Sequence, residues 1–112
     1  MRINPELYET AMSQLKANLD NTKAALAGSE AQLIKAKAAY DQAGLTFKRQ
    51  KTLHEQKVIS EQEWETAQSQ YEFAKADFES AGKSVLGSRY NVQSVAARLE
   101  EGRRNLDARN FN

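Results

Sequence analysis

Apolar and small residues recur along this chain at alternating steps of three and four, in two runs separated by Lys57-Val58-Ile59-Ser60. The first run passes through Tyr8, Met12, Leu15, Leu19, Thr22, Leu26, Ser29, Leu33, Ala36, Tyr40, Ala43, Phe47, Gln50 and His54. The second passes through Trp64, Ala67, Tyr71, Ala74, Phe78, Ala81, Val85, Ser88, Val92, Val95, Leu99, Gly102 and Leu106. Such stepping is the heptad seam of a coiled coil. Folding the chain at the break sets Phe47 against Tyr71, Tyr40 against Phe78, Leu33 against Val85, Leu26 against Val92, Leu19 against Leu99 and Met12 against Leu106. Small residues then meet small ones: Ala43 with Ala74, Ala36 with Ala81, Ser29 with Ser88. One arrangement satisfies both runs, and that agreement predicts an all-α fold: a long two-helix antiparallel coiled-coil hairpin.

The ends of the helices carry their own signals. Asn4 is a good N-cap with Pro5 at the first helical position, and Ile3 and Tyr8 have the spacing of a hydrophobic staple. The first helix is predicted over about 5–56, a turn over about 57–60 and a second helix over about 61–108. At 1.5 Å per residue the first would be roughly 75–80 Å long. Ser60 followed by Glu63 predicts a capping box, with Ile59 and Trp64 as a second staple. Lys48, Arg49, Lys51 and Lys57 gather where the first helix ends, and Glu61, Glu63 and Glu65 where the second begins. Both clusters complement the helix dipoles, which accounts for the charges at the tip without any function.

Composition narrows the classes. A chain of 112 residues with one Pro and five Gly, rich in Ala, Gln, Glu, Lys and Leu, suits long helices rather than a layered core. A single seam buries little, so modest stability is expected in isolation. Gly28 and Ser29 fall opposite Gly87 and Ser88 in the derived register, which predicts a soft zone midway along. Sixteen basic residues against fifteen acidic ones leave no electrostatic case for nucleic acid or anionic lipid. There is no cysteine, so disulfides and thiolate metal sites are excluded. No apolar run approaches the roughly 20 residues of a membrane span, and Met1-Arg2-Ile3-Asn4-Pro5 does not read as a secretory signal.

Candidate chemistry is sparse. His54, the single histidine, sits at a seam position beside the turn and reads as a polar end layer rather than a ligand or base. The carboxylates have no histidine at ligand spacing, and neither a phosphate loop nor a nucleophile elbow is present. No catalytic residue, metal or cofactor is expected, and the chain reads as a non-enzyme. The surface near the turn is more informative. Leu45, Arg49 and Leu53 lie four apart and off the seam, and Val58 and Ile59 are expected to add exposed apolar area there. Apolar groups at the end of a stiff element suit a protein partner, although scattered surface leucines are common on any protein.

The stretch FKRQKTLHEQKVISEQEWETAQSQYEFAKADFESA resembles the helical hairpin of periplasmic adaptors, the membrane fusion proteins of bacterial tripartite efflux pumps. The tip of that hairpin carries Arg, three residues, Leu, six residues, Ser, and Arg49, Leu53 and Ser60 have that spacing. INPELYETAMSQLKANL is similar to the family's passage from its lipoyl-like domain into the first helix. The resemblance implies that Arg49, Leu53 and Ser60, with Leu45, Val58 and Ile59 beside them, engage a TolC-like outer-membrane channel. It also implies an inner-membrane ABC or RND transporter reached through other domains, side-by-side hairpins in a ring of commonly six adaptors, and a periplasmic location with an inner-membrane anchor. The hairpin's length and tip look somewhat like macrolide-export adaptors of the HlyD/MacA kind, and RND adaptors share the tip motif. On this reading the chain is a hairpin domain from a larger adaptor. The rival is a cytosolic antiparallel coiled-coil arm that binds protein or RNA, and near-neutral charge speaks against RNA.

Overall fold

A computed structural model describes the backbone over residues 5–110 and the side chains over residues 6–105. Two helices, α1 (Pro5–Glu55) and α2 (Glu61–Asn110), account for nearly all of it and form an antiparallel hairpin. α1 ends one residue before the expected Gln56, and α2 runs on past Ala108 to Asn110. The Asn4 cap, the Ile3 staple and the segment after Asn110 lie outside the described residues, as does the side chain of Leu106, the expected partner of Met12.

Every seam position whose side chain is described is buried or half-buried, from Tyr8 to His54 in α1 and from Trp64 to Gly102 in α2. Most other helical positions are exposed, because two helices alone shield one stripe each. Even the seam is thinly covered: only Ala67 and Val85 are buried rather than half-buried among the described residues. Polar seam residues find partners within reach. The Thr22 hydroxyl donates to the Leu19 carbonyl at 2.8 Å, and no buried side-chain polar atom among the described residues lacks a partner.

The described residues divide into two compact units, residues 29–85 and the pairing of residues 5–28 with 86–110. In the second unit, the Tyr8 hydroxyl donates to the Gly102 carbonyl across the seam at 2.7 Å. Gly102 leaves room there for Leu15 and Met12, whose nearest atoms lie 3.5 Å from where its Cβ would be.

The first unit contains the turn, whose geometry the sequence does not announce. The Val58 N–H donates to the Leu53 carbonyl at 2.9 Å, and the Lys57 N–H donates to the His54 carbonyl at 3.0 Å. This pair of bonds is a Schellman cap, with Lys57 left-handed at φ 60° in the place that glycine usually takes. A left-handed non-glycine residue costs of order 1 kcal/mol. The chain then crosses Val58 and Ile59 and enters α2 through Ser60, whose Oγ accepts the Glu63 N–H at 3.1 Å. The expected capping box closes on that side only. The Glu63 carboxylate makes no return bond to the Ser60 N–H among the described residues.

Candidate docking site at the hairpin tip

Behind the turn the seam becomes a ladder of rings. His54 stacks on Trp64 at 4.8 Å, Trp64 on Phe47 at 5.3 Å, Phe47 on Tyr71 at 4.7 Å, Tyr71 meets Tyr40 at 5.6 Å, and Tyr40 stacks on Phe78 at 5.4 Å. The expected pairs Phe47–Tyr71 and Tyr40–Phe78 are both present. Trp64 and His54 extend the ladder to the turn, which periodicity alone does not reveal because it says nothing of ring stacking. The Tyr40 and Tyr71 hydroxyls share a hydrogen bond at 3.2 Å. That bond, together with burial and the negative charge that would form on either oxygen, pushes the Tyr40 phenol above its usual value.

His54 is the end layer its position predicts, and it is also tied across the turn. Its Nε2 lies 2.8 Å from Glu61 Oε1, so the last turn of α1 and the first of α2 are joined by a side-chain bond as well as by the ring stack on Trp64. The rings and this bond hold the two helix ends at fixed register, and the residues outside them inherit that order.

The six tip residues divide by exposure. Arg49 and Ser60 are exposed, as are Leu45 at 64% and Val58 at 65%. Leu53 is half-buried despite lying off the seam, and so is Ile59, which therefore adds less apolar surface than expected. An open groove of about 430 Å³ runs beside the turn between the helices. Thr46 and Gln50 line it from α1; Ser60 and, on α2, Glu63, Thr66 and Gln70 line it from the other side. Leu53 lies seven residues after Thr46, one heptad nearer the turn on the same face, and Arg49 falls between them. Helical spacing thus puts Arg49 and Leu53 on the face of α1 that carries the groove residue Thr46, and Ser60 lines the groove itself.

Phe73, which sequence reasoning misses, is exposed at 73%, more than any other large hydrophobic residue described. The available signal is a large aromatic residue off the heptad seam. Among the described residues no group of three or more His, Cys, Asp or Glu side chains could hold a metal, and no helix is long and apolar enough to cross a membrane.

An antiparallel two-helix hairpin with a tied tip and an open groove beside it presents an outward-facing flank that another macromolecule can contact. The family comparison gives that class a narrower identity. The family model of the α-helical hairpin domain of RND membrane fusion proteins matches residues 25–94, more than half of the chain and all of the tip, and the chain belongs to that family. It is a non-enzymatic domain of the periplasmic adaptors that link outer-membrane channels to inner-membrane transporters in efflux systems. No curated protein and no solved structure matches the chain significantly.

Proposed function

We propose that Arg49, Leu53 and Ser60 dock this domain to the periplasmic end of a TolC-like outer-membrane channel, with Leu45, Val58 and Ile59 flanking the contact. What supports this reading is the groove that Ser60 lines beside the turn, with Arg49 and Leu53 at helical spacing on the Thr46 face of α1, at a tip that falls inside the family match. The exposed Arg49 offers a planar donor fork for carbonyls or carboxylates of the channel. Leu53 supplies a partly covered apolar surface, and Ser60 can shape the contact while its Oγ caps α2. The domain belongs to a larger adaptor anchored in the inner membrane. It reaches an ABC or RND transporter through its other domains and works as a ring of adaptors, six being the expected number.

The test is association of the full-length adaptor with its channel, beside a helicity measurement. Leu53→Asp and Arg49→Ala are expected to abolish channel binding while leaving helicity unchanged. The Schellman bond at Leu53 uses its carbonyl, which the substitution keeps. Retained binding by both variants refutes the tip assignment, and loss of helicity in both makes these residues structural. Ser60→Ala is the weaker probe, since losing the cap alone costs about 1 kcal/mol.

A further inference from the structure

The two flanks of residues 29–85 are unlike in chemistry. One holds the groove, lined mainly by hydroxyls and amides, with Glu63 and Arg49 as the charged groups along it near the turn and, further from it, Asp77 one heptad after Gln70 and Lys35 two heptads before Arg49. Phe73 extends this flank: it lies seven residues after Thr66, one heptad further from the turn on the same face of α2. Across the seam the other flank alternates Lys37 and Lys51 on α1 with Lys75, Glu72 and Glu79 on α2, all exposed. Stripping water from that many charges costs far more than stripping it from hydroxyls, amides and a phenyl ring. Protein interfaces accordingly favour aromatic groups at their centres and are depleted in Lys, Glu and Asp.

We infer that the channel contact is one-sided. It runs along the groove flank from the turn to Phe73, with Phe73 as an apolar anchor and Gln50, Thr66 and Gln70 as hydrogen-bonding groups toward the channel. This rests on the tip reading above and enlarges it. A stable interface takes about 20–30 residues on each side, more than the tip residues provide. The partner surface that fits is uncharged, offering amides, hydroxyls and an apolar depression for the ring. A charge-rich helix fits the other flank instead.

The experiment compares channel association of full-length adaptors carrying Phe73→Ser, Gln70→Lys or Gln68→Lys, with Leu53→Asp as reference. Gln70 and Gln68 are both exposed on α2 and receive the same charge, but only Gln70 lines the groove. Phe73→Ser and Gln70→Lys are expected to weaken binding at least tenfold, and Gln68→Lys less than twofold, at equal helicity and unchanged adaptor self-association. Wild-type binding by Phe73→Ser and Gln70→Lys, with binding lost in Leu53→Asp, overturns the extended flank and leaves the tip assignment standing. Wild-type binding by all four removes both. Equal losses from Gln68→Lys and Gln70→Lys contradict one-sidedness. If Phe73→Ser changes adaptor self-association but not channel binding, the flank is a contact between copies of this chain and the inference is wrong.

Discussion

Residues 29–85 and the pairing of residues 5–28 with 86–110 use one seam repeat but fill it differently. The first is stacked with six rings from Phe78 to His54 and contains the two buried residues among those described, Ala67 and Val85. The second relies on Met12, Leu15, Leu19 and Leu26 with Val92, Val95 and Leu99, all half-buried, and on the Tyr8 bond to the Gly102 carbonyl. Aliphatic side chains supply burial that changes little if a helix slips by a heptad. Rings do not, because each ring inside the ladder lies between two particular partners: Tyr71 between Tyr40 and Phe47, and Phe47 between Tyr71 and Trp64. Aromatic pairs add about 0.5–1.5 kcal/mol each beyond the area they bury. The difference teaches where register matters most: the rings stand behind the turn, beside Arg49, Leu53 and Ser60, the residues proposed above to dock a partner.

The sharpest way to break this comparison is to remove one side chain from each region. Phe47→Ala deletes two ring stacks and is expected to cost about 3 kcal/mol, and Leu19→Ala, with no ring contact, about 2 kcal/mol. Urea unfolding of the two variants measures both. A larger loss at Leu19 than at Phe47 would mean that the ladder specifies register without contributing much stability.

Most of the fold is legible because a heptad seam is a one-dimensional code. The alternation of three and four picks out every described residue that loses exposure along the seam, and the fold-back pairing finds Phe47 opposite Tyr71 and Tyr40 opposite Phe78. The turn is less legible. A Schellman cap is expected with glycine or asparagine, and Lys57 gives no such sign; its left-handed φ is imposed by closing α1 onto α2 within a few residues. The candidate site is legible in part. Spacing finds Arg49, Leu53 and Ser60, whereas the groove between Thr46 and Gln70 and the exposure of Phe73 depend on which side of the seam each helix presents. Hydropathy overstates the exposed surface at Ile59, because it does not report that a turn residue is partly covered.

A smaller effect tests the aliphatic region. A Cβ built on Gly28 or on Gly87 meets no atom within 4 Å, so neither glycine is required by packing. Both are helical, where Gly is worse than Ala by roughly 0.5–1 kcal/mol. Gly28→Ala and Gly87→Ala should each stabilise by about that amount and slow amide exchange around them, with no effect on the ring ladder. Wild-type exchange that is already uniform across residues 20–40 and 80–100 would show that no soft zone exists there.

The smallest expected effect is spectroscopic and belongs to the ladder. The Tyr40 hydroxyl is held near that of Tyr71, and an ionised oxygen on either would face the other, with Glu79 and Asp41 adding further negative charge. Tyr40 is therefore raised above its usual value near 10. A group whose folded value exceeds its unfolded one favours the folded state fully at pH below the unfolded value, and that contribution fades as pH rises through the folded value. The hairpin should accordingly lose part of its stability above pH of about 10, as the unfolded chain releases a proton that Tyr40 still holds when folded. Tyr71→Phe removes the largest cause while keeping the ring stack. Ultraviolet titration of tyrosinate should show the Tyr40 transition moving down in that variant, and the alkaline loss of stability should shrink with it. An unmoved transition would mean that burial alone raises Tyr40 and that the shared hydroxyl bond does not help fix the register of the ladder.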